Sequence, residues 1–388
     1  MFAFHRIAVA LLLLVSSVLL AETEEIEPEI PPGYTPDKGK DELGIWMELE
    51  EYETAVQQSA LRVNNDYLIN YVQSATCRVA GAYCPDLRVY VIRNPGFNAS
   101  MTANGVVQVW TGLLMRVSSE DELAAVLGHE LAHYTRLHTL DRLRRVKKSM
   151  TAGSILDLGL IVLTGSNIGV GQTFAALDAM AFSRANEQEA DLLGAKFMAQ
   201  AGYDPHAAYR VWNMVVDEET KAAAKREKAG MFSKTHPDSG DRAVTLQVFV
   251  TERYGPDTGD DEGRARHVEM LDRHYMMLME DQVDTNRFGR TKAMLERHDQ
   301  IGVDQGLVDY FYGEMYRQRD EEGDEEMAMK AYFSAIQGEN PPPEAYRNLG
   351  YLNVKVGSLE QAQYNFNQYL TRKPYASDRA MIEFYLEE

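Results

Sequence analysis

The sequence predicts an α+β protein that is mostly helical: a domain holding one small sheet, followed by an all-α module of paired helices. Three observations lead there. Leu87–Ile92 alternates apolar and polar side chains as a strand does, and Gly105–Trp110 follows as a second strand. Most of the remaining patterned chain has helical apolar spacing. From Pro343 onward, Tyr346, Leu349, Gly350, Gly357, Ala362, Phe366 and Pro374 stand where a 34-residue helix-turn-helix repeat places them. The 388 residues are 45% hydrophobic and 25% charged, which suits two or three packed cores and excludes disorder, collagen and coiled-coil rods. Thirty-nine Lys and Arg against 59 Asp and Glu give a net charge of −20, which repels a phosphate backbone and argues against nucleic acid as a partner.

The N-terminus reads as a secretory signal over residues 1–21: a basic start ending at Arg6, an apolar run from Ile7 to Leu20, then acids. That run is shorter than the roughly 18 to 20 residues a bilayer needs, so cleavage after Ala21 is the expectation, with an uncleaved anchor as the rival. Export points to the periplasm. Residues 22–40, with Pro28, Pro31, Pro32 and Pro36 among acids, read as a flexible leader. Residues 41–255 form the expected first domain, which starts with helical spacing from Leu43 to Val79. In an oxidising compartment Cys77 and Cys84 are expected to bridge; the chain must turn between them, and Gly81 permits the turn. Two free thiols are the alternative.

Ser119 with Glu122 makes a capping box for a helix expected to run to about His138. A second helix is expected from about Phe174 through Ala201, stopping at Gly202. Between them, Leu158–Leu177 carries no formal charge, but its four glycines and its Ser, Asn and Gln suit a packed hairpin or a mobile cover better than a membrane span. Asp141–Lys148 holds five basic residues in eight. It reads either as a helix C-terminus complementing the macrodipole or as a contact with anionic lipid headgroups, a peripheral membrane contact.

His129-Glu-Leu-Ala-His133 places two imidazoles four residues apart on one helix face, where both reach a single cation. Glu130 then lies beside that cation as the general base. A catalytic zinc site takes three protein ligands and leaves one position open. The metzincin pattern would put a third His at position 139, which is Thr139, so that solution is excluded. The remaining solution takes a carboxylate from another helix with a second acid one turn on. Glu187 and Asp191 supply that pair, Glu187 as ligand and Asp191 orienting a ligand imidazole. Glu189 falls on the other side of that helix and reads as a solvated acid. His138 reads as supporting the site rather than ligating; His206, His267, His274 and His298 have no spacing argument and read as surface residues, and His5 leaves with the signal.

Four strings in this order, Leu127-Gly-His-Glu-Leu-Ala-His133, Ser183–Asp191, Ala201–Pro205 and Thr235-His-Pro237 with Arg242, make residues 40–250 similar to the HtpX/BepA-type zinc metallopeptidases, relatives of the CAAX prenyl proteases. The resemblance implies a gluzincin metallopeptidase fold, one Zn2+ per chain, and cleavage of misfolded or misassembled envelope proteins. It also implies that His236 faces the site, either stabilising the oxyanion or binding zinc in a resting state; a loop brace with Arg242 is the alternative. In similar proteases the Asn98-Ala stretch, which also matches a glycosylation sequon, precedes the edge strand, so Val106–Trp110 is expected to accept substrate by strand addition. Residues 256–388 resemble a tetratricopeptide module. One copy departs from the pattern at Asn353 and Tyr369, and a second fits Gly313, Tyr316, Ala328, Tyr332 and Ala335. Such a module implies client recruitment and contact with outer-membrane assembly machinery. A chaperone or assembly factor with a closed zinc site is the rival reading of the whole chain.

Overall fold

The structure, a computed structural model, describes residues 26–149, 181–227, 230–237, 239–259 and 261–387. The expected signal (1–21) and the uncharged stretch Leu158–Leu177 lie outside the described residues. Two helices come first, α1 (Asp41–Gln58) and α2 (Asp66–Ala80). Asn65 caps α2 by accepting from the Leu68 amide. After α2, Gly81 takes a positive φ of 55° and a 3-10 turn brings Cys84 back to Cys77, the two paired as a disulfide at a Cα separation of 4.7 Å.

Strands β1 (Arg88–Ile92), β2 (Ala99–Met101) and β3 (Val106–Trp110) form one sheet in the order β1-β3-β2. β1 runs parallel to β3, with Val89 opposite Val107, and β2 runs antiparallel to it, with Ala99 opposite Val109. β2 is too short for its alternation to have been recognised in the sequence. This order overturns the expected docking of substrate on Val106–Trp110. β3 is the central strand, buried along its whole length, and both its edges are already hydrogen-bonded. The outer edge of β1 is taken by residues 61–63, which exchange hydrogen bonds with Val91 and Arg93. Among the described residues, β2 keeps the open edge. Asn98 of the sequon is itself buried, and its carbonyl accepts from the Trp110 amide at 3.0 Å.

After a single turn, α3 (Thr111–Leu114), the long helix α4 (Glu120–Thr135) is capped by Ser119, as its sequence predicts. It stops three residues early. Leu137 adopts a left-handed φ of 58°, and α5 (His138–Ser149) leaves in a new direction. The helix expected from Phe174 is described from Arg184 as α6 (Arg184–Gln200), because Ser183 caps it by accepting from the Asn186 amide. Then follow α7 (Ala207–Ala224), α8 (Met231–Thr235) and α9 (Ser239–Tyr254).

Past residue 255 the described chain is helical throughout: α10 (Asp261–Val283), α11 (Phe288–Ile301), α12 (Gln305–Arg319), α13 (Asp324–Ala335), α14 (Pro343–Lys355), α15 (Leu359–Arg372) and α16 (Arg379–Glu387). α12 with α13, and α14 with α15, form helix-turn-helix pairs. A Cβ on Gly313 would come within 2.5 Å of the Tyr332 ring, and one on Gly350 within 2.6 Å of the Phe366 ring, so these positions hold the pairs close. Tyr369, at a position where the repeat usually has a small residue, donates its hydroxyl to Asp378 at 2.7 Å.

One apolar cluster joins Leu68 and Val72 of α2, Val107 and Val109 of β3, and Leu123, Leu127 and Leu131 of α4 to Met270, Leu278 and Phe311 of the C-terminal helices. The core therefore runs unbroken across residue 255. His267 and His298, read as surface residues from the sequence, are fully buried there. His267 bonds the Leu114 carbonyl and the Tyr71 hydroxyl, and His298 the Met115 carbonyl and the Tyr275 hydroxyl. His206 is buried as well, between Asp204 and the Gly255 carbonyl. A lone polar residue in or beside a helix carries no signal of what it packs against, so sequence spacing could not have found these three.

The leader is pinned where flexibility was expected. Ile30 is buried, the amides of Glu29 and Ile30 both donate to the Thr135 carbonyl, and the Tyr83 hydroxyl donates to the Ile30 carbonyl. Averaging composition over 22–40 hides that single apolar anchor. No helix among the described residues is long and apolar enough to cross a membrane.

Candidate metal centre

Every residue of α4 is buried, so the two histidines one turn apart on it face protein rather than solvent. Their Nε2 atoms lie 3.0 Å apart. α6 crosses α4 where Gly128 meets Gly194. A Cβ on Gly194 would stand 2.9 Å from the Gly128 carbonyl carbon and from the His129 amide nitrogen. This close crossing carries Glu187, in the first turn of α6, onto the histidines: Oε1 lies 3.3 Å from His133 Nε2 and Oε2 3.7 Å from His129 Nε2. His236, just past α8, completes the cluster with Nδ1 at 3.1 Å from Glu187 Oε1 and 3.2 Å from His129 Nε2. One ligand atom from each of His129, His133, Glu187 and His236 falls within 4.8 Å of the others, and all four residues are buried.

Neighbouring side chains hold these groups in place. Asp191, one turn after Glu187, places Oδ1 at 2.9 Å from His129 Nδ1. It also accepts from Trp212 Nε1 at 3.2 Å and from two nitrogens of Arg242 at 2.7 Å each. Arg242 lies across the Trp212 ring at 4.2 Å and puts a further nitrogen 2.5 Å from Glu187 Oε2. Aromatic faces close the rest: Phe182 stacks on His133 at 3.8 Å between centroids and Phe232 on His236 at 4.3 Å. Phe182, Trp212 and Phe232 were not recognisable from spacing, since each reads as an ordinary core aromatic.

The electrostatics follow from burial among charges. Burial opposes the charged form of Glu187, but His236, His133 and Arg242 outweigh it and hold the carboxyl well below the usual range. Asp191 is likewise lowered, burial being overcome by Arg242 and His129. Burial, with His129 beside it, pushes His133 well below the ordinary imidazole value, so this ring is neutral and offers a lone pair.

The residues present suit a cation. A carboxylate only accepts, so Asp191 fixes the proton of His129 on Nδ1 and leaves the Nε2 lone pair pointing into the cluster. Three imidazoles and one ionised carboxylate converge there, a donor set typical of a tetrahedral divalent site. Glu130 is not part of it. Its Oε1 is buried with no hydrogen-bond partner among the described residues, and His236 Nε2 lies 3.6 Å away. A buried carboxylate oxygen left without a donor is costly.

The sequence-predicted residues thus come together: His129, Glu130, His133, Glu187 and His236 at the centre and Asp191 behind it. One neighbour differs from expectation. Glu189 is no solvated acid; it lies 3.2 Å from His138 Nε2 and pairs with Arg136 at 3.1 Å. The break at Leu137 turns α5 back toward α6 and makes this contact. Of the basic run, Arg144 pairs with Asp41 and Asp141, Lys147 pairs with Glu48, and Arg142 lies over the Phe182 ring at 4.2 Å.

Residues 63–249 match the family model described as Peptidase family M48. Mitochondrial metalloendopeptidase OMA1 of Schizosaccharomyces pombe is 33% identical over 164 residues, covering 42% of this chain and 47% of that protein. The Beta-barrel assembly-enhancing protease of Escherichia coli (strain K12) is 28% identical over 235 residues, 54% of this chain and 46% of that one. A Putative beta-barrel assembly-enhancing protease of Vibrio cholerae is 28% identical over 205 residues, 50% of this chain and 41% of the relative. The chain spans a little under half the length of each of these relatives.

Proposed function

Because the chain carries a peptidase family M48 domain over residues 63–249, we propose that it is a zinc-dependent endopeptidase of a bacterial cell envelope that hydrolyses peptide bonds in misfolded or misassembled periplasmic and outer-membrane proteins. The observation that carries this reading is the buried convergence of His129, His133, Glu187 and His236, with Glu130 Oε1 beside it, buried and without a hydrogen-bond donor among the described residues.

His129, His133 and Glu187 would hold the Zn2+, which when bound supplies Lewis acidity that makes a neutral-pH nucleophile of water and polarises the scissile carbonyl. Glu130 Oε1 takes the proton of the attacking water and passes it to the leaving amine. His236 Nε2, beside Glu130, is placed to donate to the developing oxyanion, while its Nδ1 is placed to fill the fourth ligand position in a resting state. Asp191 and Arg242 keep His129 and Glu187 oriented. An extended substrate segment pairs with the open edge of β2, whose neighbour Phe97 packs edge-on against Phe232 at 4.9 Å, next to the centre. Strand pairing favours unfolded chains, which suits quality control. The paired helices after residue 256 act as a tetratricopeptide-like module that recruits clients and touches the outer-membrane assembly machinery, in keeping with the names of the enterobacterial and Vibrio relatives. A secretory signal at residues 1–21 delivers the chain to the periplasm.

The presence of His236 within the ligand cluster favours a second reading, a periplasmic chaperone or assembly factor whose zinc site is closed or regulatory. One experiment separates the two: zinc content and casein cleavage for the chain and for Glu130→Gln. The protease reading expects one zinc in both and cleavage only in the unsubstituted chain. One zinc with no cleavage in either favours the chaperone, and equal cleavage in both rules out Glu130 as the base.

A further inference from the structure

The two motif histidines each have a ring nitrogen turned away from the cluster, and the structure holds these two nitrogens differently. His129 Nδ1 meets Asp191 directly at 2.9 Å. Among the described residues His133 Nδ1 meets no carboxylate; it lies 3.1 Å from Nδ1 of His138. His138 opens α5 immediately after the left-handed residue Leu137, and this reversal sets its ring edge-on to that of His133, with centroids 5.2 Å apart. The far nitrogen of His138, Nε2, lies 3.2 Å from Glu189 Oε2.

Three steps of hydrogen-bond logic then fix the protons. Glu189 accepts only, so His138 donates at Nε2. The neutral ring consequently has a lone pair at Nδ1. The proton between the two Nδ1 atoms must therefore belong to His133, which leaves the lone pair of His133 on Nε2, 3.3 Å from Glu187 Oε1 and 3.0 Å from His129 Nε2. Were His138 doubly protonated, both its nitrogens would donate and His133 would be forced into the opposite tautomer, with a hydrogen pointing into the cluster. Arg136, at 3.1 Å from the same Glu189 oxygen, already supplies that carboxylate with a positive partner.

We infer that Glu189 and His138 are positioning residues that hold His133 in the Nδ1–H tautomer, doing for it through an intervening ring what Asp191 does directly for His129. Helix α6 thus supplies the ligand Glu187 and the two acids, Glu189 and Asp191, that orient the imidazole pair of α4. This rests on the metal-site reading of the cluster, and the test has an arm that does not depend on it.

In the metal-free protein, where Glu187 Oε1 at 3.3 Å competes for a hydrogen on Nε2, ring 1H–15N correlation spectra report the share of His133 that carries its hydrogen on Nδ1. His138→Phe removes the acceptor at Nδ1, and a lower Nδ1–H share is expected; an unchanged share would overturn the inference. With Zn2+ and a competing chelator, His138→Phe and Glu189→Leu should each weaken affinity 10- to 100-fold, the usual effect of losing such a partner. His138→Asn, which keeps an acceptor oxygen near the lost Nδ1, should recover most of it. Unchanged affinity in both His138→Phe and Glu189→Leu would overturn the inference, the half-exposed Glu189 guarding against a variant that merely misfolds. Failure of the unsubstituted chain to bind zinc, with the ring spectra as expected, would overturn the metal reading while leaving the tautomer assignment standing.

Discussion

Arg242 shows how much of the centre depends on a residue outside the ligand cluster. Its guanidinium is buried between Asp191 and Glu187 and lies across Trp212. Removing one member of a buried ionic network leaves its partners charged and unsolvated, which costs more than the network itself contributes. Arg242→Met is therefore expected to lower the stability of the metal-free protein by about 3 to 5 kcal/mol, read from urea unfolding. Glu187→Ala tests the ligand set instead. It should retain well under one equivalent of zinc after dialysis, and a variant that still holds a full equivalent would place the third ligand elsewhere. The histidines, Glu130 and the Glu187/Asp191 pair were legible because their spacing is dictated by one helical turn. Arg242 was visible only as part of a string, and the aromatic faces around it not at all, since nothing in a sequence tells a ring over an imidazole from one in a core.

Among the elements, the crossing of α4 and α6 sets the geometry of the site. The two helices approach at Gly128 and Gly194, so the backbone that bears His129 and the backbone that bears Glu187 are in van der Waals contact. Gly194→Ala forces a Cβ against the Gly128 carbonyl carbon and the His129 amide, neither of which can rotate away. The expected result is a loss of about 1 to 3 kcal/mol in stability together with weaker zinc binding, because α6 must shift and take Glu187 with it. Calorimetry and chelator competition on one preparation check both. The existence of these helices was readable from caps and periodicity. Their ends were less so: the left-handed turn at Leu137, a residue type that rarely adopts it, stops α4 early and gives His138 its place. β2 was missed because three residues are too few to show a period, and with it the order of the sheet was misjudged.

At the scale of the molecule, the peptidase region and the first C-terminal helices share one core, tied by two buried histidines. Burial depresses His267 to about 4 and His298 to about 3, against 6.5 for an ordinary imidazole. Both are neutral in the folded state, so the unfolded chain binds more protons as pH falls through 6.5, and stability drops in that direction. Between pH 7 and pH 5 each should cost about 1.5 to 2 kcal/mol, the loss reaching 1.36 kcal/mol per unit once the unfolded imidazole is fully protonated. Thermal unfolding of the metal-free protein at pH 7 and pH 5 should show this loss, and His267→Asn with His298→Asn should flatten it. A slope unchanged by the double substitution would assign the acid sensitivity to other groups. The helical character of the C-terminal part was plain from the sequence. Its continuity with the first core was not, because that depends on tertiary contacts between segments about 150 residues apart.

The segment around Ile30 has a practical corollary. It covers the C-terminal carbonyl of α4 with two amides and tucks one isoleucine beneath the Tyr83 hydroxyl. A recombinant form begun at the first helix, Asp41, where a reader of the sequence would start it, leaves that carbonyl to solvent and opens an apolar hollow at the foot of the helix that bears the two motif histidines. A form that keeps residues 26–40 retains this natural doorstop, and a protease that clips ahead of Asp41 would loosen the site from a distance without cutting any part of it.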